Sequence, residues 1–120
     1  MNTEISNSKF LSENVIIHKI SERIKSKLDI YQIIVFGSYA SQNKNNDSDI
    51  DLIVILNQQG LSKSYSERIK KRLSVTQLLT SFRKTIPLDV LVYSIDEWNL
   101  LLKQDSSFIN EINKTGILIS

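Results

Sequence analysis

Residues 46–57, NDSDIDLIVILN, decide the fold because they place acidic side chains directly before a strongly apolar run. The run from Ile50 to Leu56 is rich in β-branched residues, which favour strands. Successive side chains of a strand point to opposite faces, so Asp49 and Asp51 share one face, about 7 Å apart. Like charges this close repel one another, and a cation between them relieves the repulsion. The stretch is therefore either an acidic, solvated turn or a metal site at the mouth of a buried strand.

A second apolar run, Leu88 to Tyr93, follows Pro87 and predicts another strand with one charge, Asp89, inside it. A charge in a buried strand is costly unless it is paired or bound to metal. If the two strands are neighbours, Asp89 completes a triad with Asp49 and Asp51. Three carboxylates with no histidine or cysteine nearby suit magnesium or manganese rather than zinc. The alternative for Asp89 is a surface charge on an edge strand.

A third run, Ile30 to Phe36, predicts a strand that is closed by Gly37 and Ser38. Glycine lets the backbone approach a ligand closely, and a helix that starts after it presents free N–H groups to an anion. Ser38 adds a hydroxyl donor. A phosphate site beside metal-binding carboxylates is the equipment for phosphoryl or nucleotidyl transfer, whereas either part alone is also a common turn.

Most of the remaining chain shows the apolar periodicity of helices. The predicted helices run from about Lys9 to Leu28, from Ser64 to about Lys84, from Ser94 through Leu102, and from Phe108 to Lys114, with a short final strand at Ile117 to Ile119. Ser64 with Glu67 and Ser94 with Glu97 fit capping boxes. For the second helix we expect a buried face made of Tyr65, Ile69, Leu73, Leu79 and Phe82. Trp98 is expected in the core or at a subunit interface, so a homo-oligomer stays open.

The order of elements predicts an α/β (α+β) fold, a small mixed β-sheet with helices packed mainly on one face and the carboxylates on the other. The 120 residues are enough for one domain, spanning residues 1–120, with little room for a second. A net charge of +2 does not argue for nucleic acid or membrane. The basic cluster of Arg68, Lys70, Lys71 and Arg72 is either a solvated face or a contact with nucleic acid or an acidic partner. Because no signal peptide or apolar span is found, we expect a cytoplasmic protein.

Two short motifs of this sequence also resemble those of a known protein family. Gly37-Ser38-Tyr39-Ala40, followed by Ser48-Asp49-Ile50-Asp51-Leu52, resembles the signature of the DNA polymerase β-like nucleotidyltransferases, and more closely that of the minimal nucleotidyltransferases of bacteria and archaea. The resemblance extends over roughly Val15 to Ser120. It implies the polymerase β-like nucleotidyltransferase fold.

The resemblance also implies a site and a reaction. Asp49, Asp51 and Asp89 would be the catalytic residues and would bind two divalent ions, Mg²⁺ or Mn²⁺. Gly37 and Ser38 would bind the β- and γ-phosphates of the nucleoside triphosphate, ATP. Asp89 would take the proton of an acceptor hydroxyl, AMP would be transferred, and pyrophosphate would leave. Ser41 departs from the pattern, because family members often have an arginine there, and the missing cation predicts a slow enzyme unless Lys44 substitutes.

Minimal nucleotidyltransferases are frequently encoded beside small helical HEPN proteins, often ribonuclease toxins, and the resemblance implies an antitoxin that attaches AMP to a hydroxyl of such a partner. Two alternatives remain open. One is a binding module that neutralises its partner by contact with little or no catalysis. The other is an enzyme that adenylylates a small molecule, as antibiotic-modifying relatives do, although those relatives are larger.

Overall fold

The computed structural model describes residues 14–37, 39–40 and 49–120, which form a four-stranded sheet and the helices that cover it. The elements, in chain order, are α1 (Val15–Lys27), β1 (Ile30–Phe36), β2 (Ile50–Leu56), α2 (Tyr65–Thr76), a 3₁₀ turn (Gln77–Leu79), α3 (Thr80–Arg83), β3 (Leu88–Ser94), α4 (Ile95–Leu102), α5 (Ser107–Thr115) and β4 (Ile117–Leu118). The predicted strands agree with β1 and β2 at both ends, and β3 extends one residue further.

The strands lie in the order β3-β2-β1-β4. β1 pairs antiparallel with both β2 and β4, whereas β2 and β3 are parallel. A parallel pair needs a long crossover, and the segment containing α2, the 3₁₀ turn and α3 supplies it. β2 lies inside the sheet, and Asp51 is its one residue that is not buried. The sheet is therefore mixed, as predicted, and β3 forms one of its edges.

Apolar side chains fill both faces of the sheet, which corrects the expectation that helices pack mainly on one face. On the first face, even-numbered β2 residues pack with α1 and with Val75 and Leu79 from the crossover. On the second face, Ile53 and Ile55 pack with Trp98 of α4 and with α5. Because β2 alternates two apolar sets, each set needs its own cover. Trp98 is accordingly a core residue, with 2% of its surface exposed.

The buried face of α2 differs from the predicted one. Tyr65, Ile69 and Leu73 are 78%, 39% and 53% exposed, while Leu79 is buried and Phe82 is half-buried against the core. Lys71 takes the inward position instead, because Glu97 and the Ser62 hydroxyl accept hydrogen bonds from its ammonium group. The hydrogen bonds of Lys71 thus orient α2 so that its most apolar stripe does not face the core.

The helix ends follow the predicted signals in most places. Ser94 and Glu97 form a complete capping box at the start of α4. At the start of α2 the Ser64 hydroxyl accepts from the Glu67 amide, but the Glu67 carboxylate accepts from Lys63 rather than from Ser64. Among the described residues, no helix has the length and apolar character needed to span a bilayer.

Candidate active site

Two of the predicted carboxylates lie side by side in the sheet. Asp51 of β2 and Asp89 of β3 are direct partners in the parallel register, and adjacent strands are about 4.8 Å apart. Asp51 alternates with Ile50 and Leu52, whose side chains are buried on the first face, so both aspartates belong to the second face. Asp49 immediately precedes β2 and is exposed. β2 and β3 are neighbours, as the triad hypothesis requires, and this adjacency brings Asp51 and Asp89 together.

Gly37 closes this arrangement from the other side. β1 pairs with β2 so that Phe36 faces Asp51, and the chain then turns at Gly37 with φ of +76°. A Cβ atom at Gly37 would lie 2.5 Å from Asp51 Oδ2, so a side chain there would force the Asp51 carboxylate to shift. The Ala40 amide donates to the Gly37 carbonyl at 3.2 Å, which completes the turn. The predicted phosphate-binding turn is therefore in contact with a predicted metal ligand.

Burial is the first cause that raises the pKa of Asp51 above its ordinary value, and the charges of Asp89, Asp49 and Glu111 raise it further. These neighbours show that the negative charges form one electrostatic cluster. Glu111, on α5, was not among the predicted residues. The edge-to-face contact of Phe108 with Phe36, with ring centroids 5.8 Å apart, holds α5 against this end of the sheet. The sequence signal for Glu111 was only its place on a predicted helix.

Asp89 has a cationic neighbour. Arg72 Nη2 of α2 lies 3.6 Å from Asp89 Oδ1, and both side chains are more than half exposed. Arg72 belongs to the basic cluster that is predicted to be either a solvated face or a contact with nucleic acid or an acidic partner. Its acidic partner in the structure is Asp89 of the same chain. The ion pair turns a cation of the crossover helix toward the candidate site.

The carboxylates fit a divalent cation in kind, because hard oxygen donors suit Mg²⁺ and Mn²⁺. Within the three described ranges, however, no group of three or more aspartate, glutamate or histidine side chains converges closely enough to hold a metal ion. Arg72 competes with a cation for the Asp89 carboxylate. Of the other predicted residues, Ser38, Ser41 and Lys44 lie outside the described residues.

Comparison with known proteins places this chain in a family. Residues 18–120 match the family model described as "Polymerase beta, Nucleotidyltransferase". A curated relative, a putative protein adenylyltransferase of Methanocaldococcus jannaschii, is 29% identical over 98 residues, which cover 82% of this chain and 85% of the relative.

Solved structures support the same fold. A toxin–antitoxin crystal structure with AMP-PNP has a TM-score of 0.56 at 17% identity, covering 86% of this chain and 71% of the other. A double aspartate-to-glutamate variant of the toxin–antitoxin MntA–HpeT has a TM-score of 0.52 at 15% identity, covering 86% of this chain and 70% of the other. At these identities the likeness concerns the fold alone.

Proposed function

The chain belongs to the polymerase beta nucleotidyltransferase family, and from that premise we propose that it transfers AMP from ATP to a hydroxyl group of a partner protein. The observation that carries the proposal is the in-register placement of Asp51 and Asp89, with the Gly37 turn against the Asp51 carboxylate. The name of the Methanocaldococcus relative agrees with a protein acceptor. We expect the reaction to take place in the cytoplasm.

Each residue of the site has a distinct part in the proposed reaction. Asp49, Asp51 and Asp89 would hold Mg²⁺ or Mn²⁺, and the bound ions would neutralise charge on the phosphates. Gly37, with its open backbone, and Ser38 would bind the β- and γ-phosphates. The Asp89 carboxylate would accept the proton of the acceptor hydroxyl as its oxygen attacks the α-phosphorus. The bond from the α-phosphorus to the bridging oxygen then breaks, and pyrophosphate leaves.

The partner that we propose is a HEPN-type helical protein, the toxin of a toxin–antitoxin pair. Support comes from the solved structures of the same fold, which are toxin–antitoxin complexes. Modification of a toxin hydroxyl by AMP would add charge and bulk at that position, which is a direct way to block a nucleic-acid substrate.

The test uses ATP labelled at the α-phosphate, magnesium, and lysate of the native organism in which the acceptor has been verified. Parallel reactions contain γ-labelled ATP, the Asp49→Asn/Asp51→Asn protein, and Asp105→Asn as a control that removes an exposed carboxylate between α4 and α5. We expect one protein band, labelled only from the α-position, with the wild type and Asp105→Asn. Label from the γ-position would mean phosphoryl transfer and would overturn the mechanism.

A second candidate is a binding module that neutralises its partner by contact. The Arg72–Asp89 ion pair favours it, because the pair occupies a carboxylate that catalysis needs, and no three of the described carboxylates converge on a metal position. In that case no band is labelled from either position, and the Asp49→Asn/Asp51→Asn protein still neutralises the partner.

A further inference from the structure

The outer edge of β3 offers unpaired backbone groups. The Ile50 amide donates to the Pro87 carbonyl at 2.9 Å, and this bond fixes the phase of the parallel ladder. In such a ladder, alternate residues point both polar groups at the neighbouring strand. Asp89, Leu91 and Tyr93 therefore face β2, whereas Val90 and Val92 direct their amides and carbonyls to the free edge of the sheet.

These outward groups have no partner among the described residues. No backbone or side-chain hydrogen bond of the described ranges reaches the outer amide or carbonyl of Val90 or Val92. Val90 is 1% exposed, so a partner reaches its outer groups only when the side chains that cover them move, whereas Val92 is partly exposed. A buried amide or carbonyl without a partner costs about 1–3 kcal/mol. An extended segment laid against β3 would supply the missing hydrogen bonds.

A groove of about 510 Å³ runs along this edge, within the size range of ligand sites. One wall belongs to α2 and carries Arg68 and Arg72, and the other belongs to α4 and carries Leu100 and Leu101. Where β3 ends, Lys71 Nζ bonds Glu97 Oε1 at 2.5 Å and joins the two walls. At its start, β3 carries Asp89. The groove therefore leads from a closed end to Val90, which follows Asp89 in the chain, and to Arg72, which pairs with Asp89.

We propose that this groove binds the acceptor as an extended segment, which adds as a strand to the edge of β3 and delivers its hydroxyl to Asp89. The inference rests on the proposed AMP transfer and adds how the acceptor is held. Strand addition is a general mode of peptide recognition in which main-chain bonds give affinity and alternate side chains give specificity. From Val92 to Asp89 the distance along the strand is about 10 Å, or three residues.

The two walls specify the chemistry of the segment. α2 lies on the Val90 and Val92 side of β3, because these residues pack with the first core, and α4 lies on the other side, where Trp98 meets Tyr93 at 5.8 Å between ring centroids. Side chains of an added strand alternate between the two sides. Acidic residues would meet Arg68 and Arg72, and apolar residues would meet Leu100 and Leu101. The segment is thus acidic and apolar in alternation, with its acceptor hydroxyl at one end.

The test measures binding without catalysis. The probes are synthetic peptides of roughly eight residues that alternate glutamate and leucine, with tyrosine at either end, a length typical of one strand. A peptide with lysine for glutamate, and two peptides N-methylated on one or the other set of alternate amides, serve as controls. NMR amide exchange of the ¹⁵N-labelled protein is followed with and without each peptide.

In the free protein we expect faster exchange at Val92, which is partly exposed, than at Leu91 and Tyr93, whose amides face β2, and we expect the glutamate peptide to protect Val92. One N-methylated peptide should lose binding while the other keeps it. Arg68→Gln/Arg72→Gln should weaken binding about three- to tenfold, in line with two exposed ion pairs. Lys70→Gln, on the same helix but outside this groove, should leave it unchanged.

Three results would overturn the proposal: exchange at Val92 in the free protein as slow as at Leu91 and Tyr93, no binding of the glutamate peptides, or binding that leaves the Val92 amide unprotected. The arginines would then only shield the edge from self-association. Because the readout is binding, these results leave the labelling experiment for AMP transfer unaffected. If the labelling experiment fails, the exchange experiment still shows whether a peptide binds to the edge of β3.

Discussion

Gly37 and Asp51 are so close that a Cβ atom on the glycine would lie 2.5 Å from the carboxylate oxygen Oδ2. The glycine is also required by the backbone, whose φ of +76° favours glycine strongly over other residues. The turn after β1 and the carboxylate at the start of β2 therefore share one small space. A larger residue at position 37 has to displace the Asp51 side chain.

This contact leads to a prediction with a matched control. Gly60 has a φ of +96° but nothing within 4 Å of an added Cβ, so Gly60→Ala carries the backbone strain alone. Both Gly37→Ala and Gly60→Ala should lower the free energy of unfolding, by about 1–2 kcal/mol for the strain. Only Gly37→Ala should lose AMP transfer, by about a hundredfold, because the reacting groups are displaced. Equal transfer rates for the two variants in the α-labelled ATP assay would contradict the account.

Asp51→Asn should abolish transfer and raise stability. Burial first, and then the charges of Asp89, Asp49 and Glu111, raise the pKa of Asp51 above its ordinary value of 3.8, so the ionised carboxylate destabilises the folded protein at pH 7. The penalty disappears as the pH falls through the raised pKa and the group becomes neutral. In urea unfolding without divalent ions, Asp51→Asn should be more stable than wild type at pH 7 and equal to it near pH 3. A destabilised variant at pH 7 would refute this electrostatic explanation.

Arg72→Gln should strengthen binding of the divalent ion. The guanidinium lies 3.6 Å from Asp89 Oδ1 and competes with a cation for that carboxylate. Because the pair is exposed, its loss should change stability by no more than about 0.5 kcal/mol and should tighten Mn²⁺ binding about two- to fivefold. Calorimetric titration with Mn²⁺ measures the effect, with Lys70→Gln as the control. Weaker Mn²⁺ binding by Arg72→Gln would mean that the arginine supports the metal site.

The strands and the paired aspartates could be predicted from the sequence because they depend on short-range features. A β-branched run bounded by polar residues defines β2, and its alternation puts Asp51 opposite Ile50 and Leu52. The approach of Arg72 and Glu111 to the site depends on how α2 and α5 pack, which periodicity does not specify. The phase of α2 is the clearest case, since the sequence favours Leu73 as buried and the structure buries Val75 and turns Lys71 inward.

Two leucines test this corrected phase. Leu79 is fully buried in the first core, whereas Leu73 is 53% exposed. Leu79→Ala should lower the free energy of unfolding by about 2–5 kcal/mol, the usual range for a buried leucine. Leu73→Ala should change it by no more than about 0.5 kcal/mol, as for surface positions in general. Because Leu79 is buried in either phase, Leu79→Ala is the reference, and a loss for Leu73→Ala as large as that of Leu79→Ala in chemical unfolding would restore the predicted face.

Glu97 joins α4, α2 and the loop before α2 through one carboxylate. Lys71 Nζ donates to Oε1 at 2.5 Å, the Ser94 amide donates to Oε1 at 2.9 Å, and the Ser62 amide donates to Oε2 at 3.2 Å. Burial alone would raise the pKa of Glu97, but the hydrogen bonds from Lys71, Ser94 and Ser62 outweigh it and lower the pKa from 4.5 to about 2. The ionised form is therefore the one that the fold stabilises.

The pH dependence of stability follows from this shift. A carboxyl group whose pKa is lowered by folding contributes stability that is complete above pH 4.5 and is lost as the pH falls toward about 2. Glu97→Gln should therefore be less stable than wild type at pH 7, by about 1–3 kcal/mol, and the difference should shrink steadily below pH 4.5. Glu22→Gln, which removes an exposed pair with Lys25 at 3.2 Å, should cost no more than about 1 kcal/mol at any pH. Urea unfolding between pH 2 and pH 7 measures both variants, and a gap for Glu97→Gln that stays constant across that range would show that its carboxylate does not carry the acid sensitivity.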